Sequence, residues 1–245
     1  MRDEEYRAMF DLEERLWWYE GMRGITASLI GPALEKNPNE RLLDLGCGTG
    51  YSCAWLRDRF DFGEAFGVDV SPHAAGFWHA RGLDTVALAT ADSLPFRENE
   101  FDLVTCFDVI YQLNDERASA AVSEMHRVLK PGGLLFIREP AYQWMRGGHD
   151  VAVGTHRRYT VTDLRRLLRA RGFKPRRSTY ANTLLFWMAV PHRLLSKLRG
   201  STESDVKPVP GWMNTLLGAA LKLETRMLRR IAFPFGLSVI TLAEK

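Results

Sequence analysis

The chain has 245 residues, 46% apolar and 26% charged, a composition that excludes wholesale disorder, collagen-like repeats and a polytopic membrane protein. This length suits one sizeable α/β core rather than two ordinary domains with independent sites, so a single domain with appendages is expected over residues 1–245. Thirty-three basic against 30 acidic side chains leave a net charge of only +3, too little for charge alone to name nucleic acid or a membrane as partner.

Asp3 to about Leu34 reads as helix, since Tyr6, Met9, Phe10, Glu13 and Leu16-Trp17 recur at helical spacing, and the polar stretch 36–40 ends it. Residues 1–40 are therefore expected to form a helical cap. Alternating short strands and helices follow: Arg41–Leu45 and Tyr51–Phe60, Glu64–Val68 and Pro72–Arg81, Asp84–Leu88, Phe101–Cys106 and Glu116–Leu129, then Leu134–Arg138. That order predicts a parallel sheet covered on both faces. An irregular stretch, 139–159, leads to a helix at Thr162–Ala170, with Thr162 or Asp163 as its cap and Gly172 beyond its end. Lys174–Leu185 can hold another strand and Gly236–Ala243 a final one, which leaves residues 186–235 as an insertion of two amphipathic helices joined by a polar, proline-rich loop.

The amino terminus lacks the apolar run and small-residue cleavage site of a secretory signal. The apolar run Leu184–Val190 is closed by Pro191, far short of the roughly 20 residues a spanning helix needs. Cys47, Cys53 and Cys106 are too few and too scattered for a disulfide framework or zinc ribbon, and no metal site is expected. The expected compartment is the cytoplasm, with a membrane-peripheral position open to test.

The sharpest signal is Leu42-Leu43-Asp44-Leu45-Gly46-Cys47-Gly48-Thr49-Gly50, a strand running into three alternating glycines and then a helix. Such a turn brings backbone close to a ligand at the helix amino terminus. A Gly-x-Gly-x-x-Gly dinucleotide fingerprint would need a glycine where Tyr51 stands, and no Gly-Lys-Ser/Thr follows for a phosphate loop. The second strand ends at Asp69-Val70, placing a carboxylate where it can grip a ribose diol. Thr90-Ala91-Asp92-Ser93 then offers an acceptor and a backbone donor to an adenine edge. Phe101–Asp108 and the run Glu124–Leu135 complete the series.

This ordered set resembles the class I S-adenosylmethionine-dependent methyltransferases, over roughly residues 40–140 and more loosely to the end, in the manner of their broad bacterial small-molecule branch. The resemblance implies a Rossmann-like, doubly wound seven-stranded sheet with an antiparallel last strand, its core at 41–185 and 236–245. It implies S-adenosylmethionine as cofactor. Asp44 and the turn of Gly46, Cys47, Gly48 and Gly50 would surround the methionine part, Asp69 would hold the ribose hydroxyls and Val70 would pack on adenine. Asp92 would take the adenine amino group, Ser93 would supply a backbone amide and Phe107 would line the methionine end, with Trp18 of the cap folding over the sulfonium.

The activity implied is methyl transfer to oxygen or nitrogen of a small-molecule, sugar or lipid-linked acceptor. Two alternatives stay open: intramolecular cyclisation releasing methylthioadenosine, and a non-catalytic cofactor-binding regulator. After the fourth strand, Cys106-Phe107-Asp108-Val109-Ile110-Tyr111 lacks the Asn/Asp-Pro-Pro-Tyr pattern of base-amino methylation, which argues against a nucleic-acid partner. The arginine-rich stretch 157–177 reads as a solvated helix face. Candidate catalytic groups are Tyr111, His149 and His156; candidate acceptor contacts are Tyr111, Trp144, Arg157 and Tyr159. The insertion, rich in Leu184, Trp187, Met188 and Leu216 with Lys222, Arg226, Arg229 and Arg230 on other faces, is expected to serve as a lid, a homodimer interface or an interfacial membrane helix.

Overall fold

The computed structural model describes residues 3–35, 40–147, 150, 154–199 and 209–245. The expected breaker at 36–39 and the proline-rich loop at 200–208 lie outside the described residues, as does His149.

Seven strands form one sheet: β1 (Arg41–Leu45), β2 (Glu64–Asp69), β3 (Val86–Leu88), β4 (Phe101–Phe107), β5 (Leu129–Pro140), β6 (Lys174–Ala181) and β7 (Ser238–Glu244). Their spatial order is β3-β2-β1-β4-β5-β7-β6. β7 runs antiparallel to both neighbours, β5 and β6, and the other pairings are parallel. The winding direction reverses between β1 and β4, and that switch point opens a crevice at the strand carboxyl ends.

The helices are α1 (Asp3–Leu12), α2 (Trp17–Leu34), α3 (Tyr51–Phe60), α4 (Pro72–Trp78), α5 (Asp115–Val128), α6 (Val161–Ala170), α7 (Thr183–Arg199) and α8 (Gly211–Leu228). The period of two along β1 divides the core. Leu43 and Leu45 join Ala121, Met125, Leu164 and Leu168 beneath α5 and α6. Leu42 joins Phe136, Ile25, Cys53 and Leu221 beneath α2, α3 and α8.

The single long amino-terminal helix expected from the spacing is broken in two. The break centres on Glu13, which is 5% exposed and turned inward. Its carboxylate accepts from Thr49 Oγ1 at 2.6 and 2.7 Å and from Arg81 at 2.9 Å, so the chain bends to deliver a charged group to buried partners. The helix after the irregular stretch is capped by Thr160 rather than Thr162 or Asp163: the Thr160 hydroxyl accepts from Asp163 N at 3.2 Å, and Asp163 accepts from Thr160 N at 3.2 Å. β6 stops at Ala181, four residues short of Leu185, because Asn182 takes a left-handed φ of 59° and Thr183 starts α7.

The amino-terminal cap and the insertion pack on each other. A Cβ on Gly21 of α2 would sit 2.2 Å from Leu221 Cδ1 of α8, so the small residue is what permits the close approach. Asn214 Oδ1 of α8 accepts from Trp17 N at 2.9 Å, capping a helix that has no cap of its own. Glu224 of α8, fully buried, accepts from Leu184 N at 3.2 Å at the start of α7. No helix among the described residues is long and apolar enough to cross a membrane.

Candidate active site

Gly46, Gly48 and Gly50 all hold positive φ, at 75°, 55° and 86°. All three are also crowded where a side chain would start: a Cβ on Gly46 would meet Val109 Cγ2 at 2.2 Å, one on Gly48 would meet Met9 Cε at 2.8 Å and one on Gly50 would meet Leu83 Cδ1 at 2.6 Å. Gly46 N and Cys47 N donate to Val68 O at 2.8 and 3.0 Å, which ties the turn to the end of β2. Gly48 N donates to Asp69 Oδ2 at 2.9 Å and Ser71 N to Asp69 Oδ1 at 2.9 Å. Asp69 is thereby fixed between the glycine turn and the residues that follow β2. Beside it Val70 is 69% exposed, an apolar platform with nothing of the chain over it.

Asp44 lies at the bottom of the same crevice, 1% exposed. Its Oδ1 accepts from Thr105 Oγ1 at 2.6 Å, while Oδ2 is buried with no partner. Burial pushes this carboxyl up to about 7, against the opposing pull of the Thr105 hydrogen bond and the Arg138 charge. A buried acceptor of this kind fits a donor brought by a ligand, and a cationic one best.

At the carboxyl ends of β4 and β5 stand Asp108 and Arg138. Asp108 takes a left-handed φ of 57°. Arg138 Nε donates to its Oδ2 at 3.1 Å, and a second, shorter bond from Nη2 reaches the same oxygen. The guanidinium lies 5.2 Å from the Trp18 ring centroid and 4.9 Å from that of Phe107. Tyr19, edge-on to Trp18 at 4.9 Å, has its phenol pushed well up, first by burial and then by Glu13. The adjoining Glu139 is fully buried and accepts from Val109 N, Ile110 N and Tyr111 N at 3.3, 3.0 and 3.2 Å, which fixes the turn after β4.

The structure thus brings together Asp44, Gly46, Cys47, Gly48, Gly50, Asp69 and Val70, with Phe107 and Trp18 at the far end. Asp92 and Ser93 differ from expectation in their engagements. Arg117 donates to both Asp92 oxygens, at 2.7 and 3.1 Å, holding that carboxyl down at about 2, and Ser93 N donates to Thr90 O at 3.1 Å. Arg117 is exposed, so this pair costs little to open.

The acceptor candidates scatter. Tyr111 and Tyr159 are 8% and 2% exposed and belong to the core under α5 and α6, where burial drives both phenols well up. That placement corrects the expectation that they reach an acceptor, since a phenol packed among leucines has no open face. His156 is exposed and anchored by its backbone N to Tyr111 O at 2.8 Å. Arg157 pairs with Asp115 and Asp163 at 3.1 and 3.4 Å. Trp144 is half exposed and stacks on Tyr142 at 5.7 Å, a few residues past the end of β5.

Glu13, Arg81, Arg138, Glu139 and Tyr6 were missed as site residues. For Glu13 a signal existed: a carboxylate standing on the apolar stripe of a helix. The others acquire their places only through contacts 28 to 68 residues away in sequence.

Residues 43–137 match the family described as a methyltransferase domain. The chain is 34% identical over 140 residues to the demethylmenaquinone methyltransferase of Thermus thermophilus, covering 55% of this chain and 62% of that protein. It is 38% identical over 112 residues to a ubiquinone/menaquinone biosynthesis C-methyltransferase of Chromobacterium violaceum, covering 43% and 45%. The chain therefore spans about half to three fifths of these relatives. Among solved structures, a methyltransferase from Thermotoga maritima, described as a possible histamine N-methyltransferase, superposes with a TM-score of 0.59 at 19% identity, covering 99% of this chain and 95% of that one.

Proposed function

We propose, for a chain that belongs to the class I S-adenosylmethionine-dependent methyltransferases, that it methylates an ionisable oxygen of a small, largely apolar acceptor. The observation that carries this reading is Arg138, a buried guanidinium held between Trp18 and Phe107 at the end of the crevice that starts at the glycine turn.

The fit to the cofactor rests on the unpartnered Asp44 oxygen, the glycine cradle and the exposed Val70. Bound there, S-adenosylmethionine supplies a methyl group on a positive sulfur for in-line displacement. Asp44 would face its α-ammonium group, Asp69 its ribose hydroxyls and Val70 its adenine. Opposite them, Arg138 would hold an acceptor oxygen in its ionised form, releasing Asp108 as it does so. Trp18 and Phe107 would exclude water, which strengthens the charge interaction. Positioning then supplies most of the acceleration, and no dedicated base is required once the oxygen is ionised.

A second reading, attack from a ring carbon, is favoured by the Chromobacterium relative named as a C-methyltransferase. An ionised phenol shares its charge with adjacent ring carbons, so Arg138 serves that case as well.

The test is methyl-deuterated cofactor offered with substituted phenols, naphthols, their methyl ethers and matched amines, products read by mass spectrometry. Label on the hydroxyl-bearing compounds, lost about a hundredfold in Arg138→Gln and partly restored in Arg138→Lys, is expected. Transfer to amines alone, or full activity in Arg138→Gln, would overturn the reading.

A further inference from the structure

Scattered exposed apolar side chains are ordinary on a protein surface; apolar side chains exposed at helical spacing are not. On α7, Leu184, Trp187, Met188 and Pro191 occupy positions i, i+3, i+4 and i+7 of one face, and all four are exposed, while Leu185 and Phe186 turn inward. Trp187 and Met188 are 69% and 67% exposed. On α8, Trp212, Leu216 and Leu223 form a second exposed row at spacings of four and seven. The two helices meet where Glu224 takes the Leu184 amide at the start of the α7 row.

Charge decides what covers them. Lys222, Arg226, Arg229 and Arg230 are exposed along and just beyond α8, and its only carboxylate, Glu224, is buried. Lys222 has one exposed partner, Glu20 at 3.0 Å, a pair that solvent screens. A two-fold related copy would bring this cationic strip against itself. An anionic surface would instead complement it. Tryptophan at the rim suits a lipid interface, with its ring among acyl chains and its N–H at the headgroups.

We propose that the α7–α8 face docks on an anionic phospholipid surface, with its helices lying in the headgroup layer rather than crossing it. A run of aromatic contacts leads from this face to the segment just past β5: Trp187 lies 5.7 Å from Phe186, Phe186 lies 6.3 Å from Trp144, and Trp144 stacks on Tyr142. The inference goes beyond the proposed function and does not depend on it, since binding is read without cofactor or acceptor.

The test is co-sedimentation of the full chain with vesicles of phosphatidylcholine alone and with a quarter phosphatidylglycerol, at low and at high salt. Binding to the anionic vesicles, weakened by salt, is expected. Trp187→Ser with Met188→Ser should cut partition about tenfold, and so should Arg226→Glu with Arg230→Glu, with thermal melts unchanged. The charge pair keeps the test decisive should the aromatic variant fold poorly. Absence of binding at low salt, or variants binding as the parent does, would overturn the proposal. So would a homodimer in light scattering that the Trp187→Ser variant dissolves.

Discussion

The Tyr6 hydroxyl of α1 donates to Asp69 Oδ1 at 3.3 Å, spanning 63 residues of sequence. Tyr6 is 4% exposed, and burial together with the Asp69 charge lifts its phenol to about 12. The contact is the one a ribose hydroxyl would make with the same carboxylate. Where Asp69 holds the ribose as proposed, cap and cofactor would compete for it. Tyr6→Phe is expected to raise affinity for S-adenosylhomocysteine by about threefold to tenfold, as a hydrogen bond this long contributes about 0.5–1.5 kcal/mol net. Asp69→Ala should lower it by at least as much. Isothermal titration checks both, and an unchanged affinity in Tyr6→Phe would argue that α1 and the cofactor share no space.

Asp44 makes cofactor affinity and stability respond oppositely to pH. Its carboxyl rises from 3.8 to about 7 in the folded chain, so the folded state keeps the proton longer than the unfolded one. Its contribution to stability is full below about 4 and is lost as pH climbs to about 7, where a buried charge must be held. The loss should be on the order of a few kcal/mol. Affinity for the α-ammonium of S-adenosylhomocysteine should grow over the same window. Melting temperature of Asp44→Asn against the parent, from pH 5 to 8, isolates the effect: the two curves should part as pH rises, with the variant higher.

Gly21 sets the distance between the cap and the insertion. Gly21→Ala forces Leu221 to move, since its Cβ would fall 2.2 Å from Leu221 Cδ1, and should destabilise by about 1–3 kcal/mol. Adding Leu221→Ala should not restore the parent's stability, and should lower the cost of Gly21→Ala without removing it, since the Leu221 Cβ that remains would still sit 2.6 Å from the new methyl. A double-mutant cycle by chemical denaturation reads this coupling directly.

Glu139 is expected to act on turnover through the turn after β4. Glu139→Ala strands the Val109, Ile110 and Tyr111 N–H groups and should lower kcat strongly, with a smaller change in affinity for S-adenosylhomocysteine, whose proposed cradle lies on β1 and β2. Glu139→Gln, which keeps one carbonyl acceptor, should fall between. Equal losses in binding and turnover would instead indicate general unfolding of the site.

The glycine turn and the carboxylates beside it were legible because they are local. Three glycines with positive φ, a carboxylate at the end of β1 and another at the end of β2 are fixed by strand–turn–helix geometry within a few tens of residues. The acceptor end was not. Tyr111, after the fourth strand, and Tyr159, in a stretch rich in aromatics, look like site residues, yet both rings fill the core beneath α5 and α6. Arg138 looks like an interruption of an apolar strand until Trp18 and Phe107 close on it.

Periodicity and motif order by themselves determined the alternating α/β fold, the glycine turn and the family of chemistry, because each is written in contacts between near neighbours. Only the tertiary structure decided that the insertion packs on the cap at Gly21, that Tyr6 reaches Asp69 and that Arg138 finds Asp108 and two aromatic faces. Those contacts pair segments that share no local pattern. Their energy comes from pairing charges and covering apolar faces as both are buried, and burial is a property of the packed chain rather than of any stretch of it.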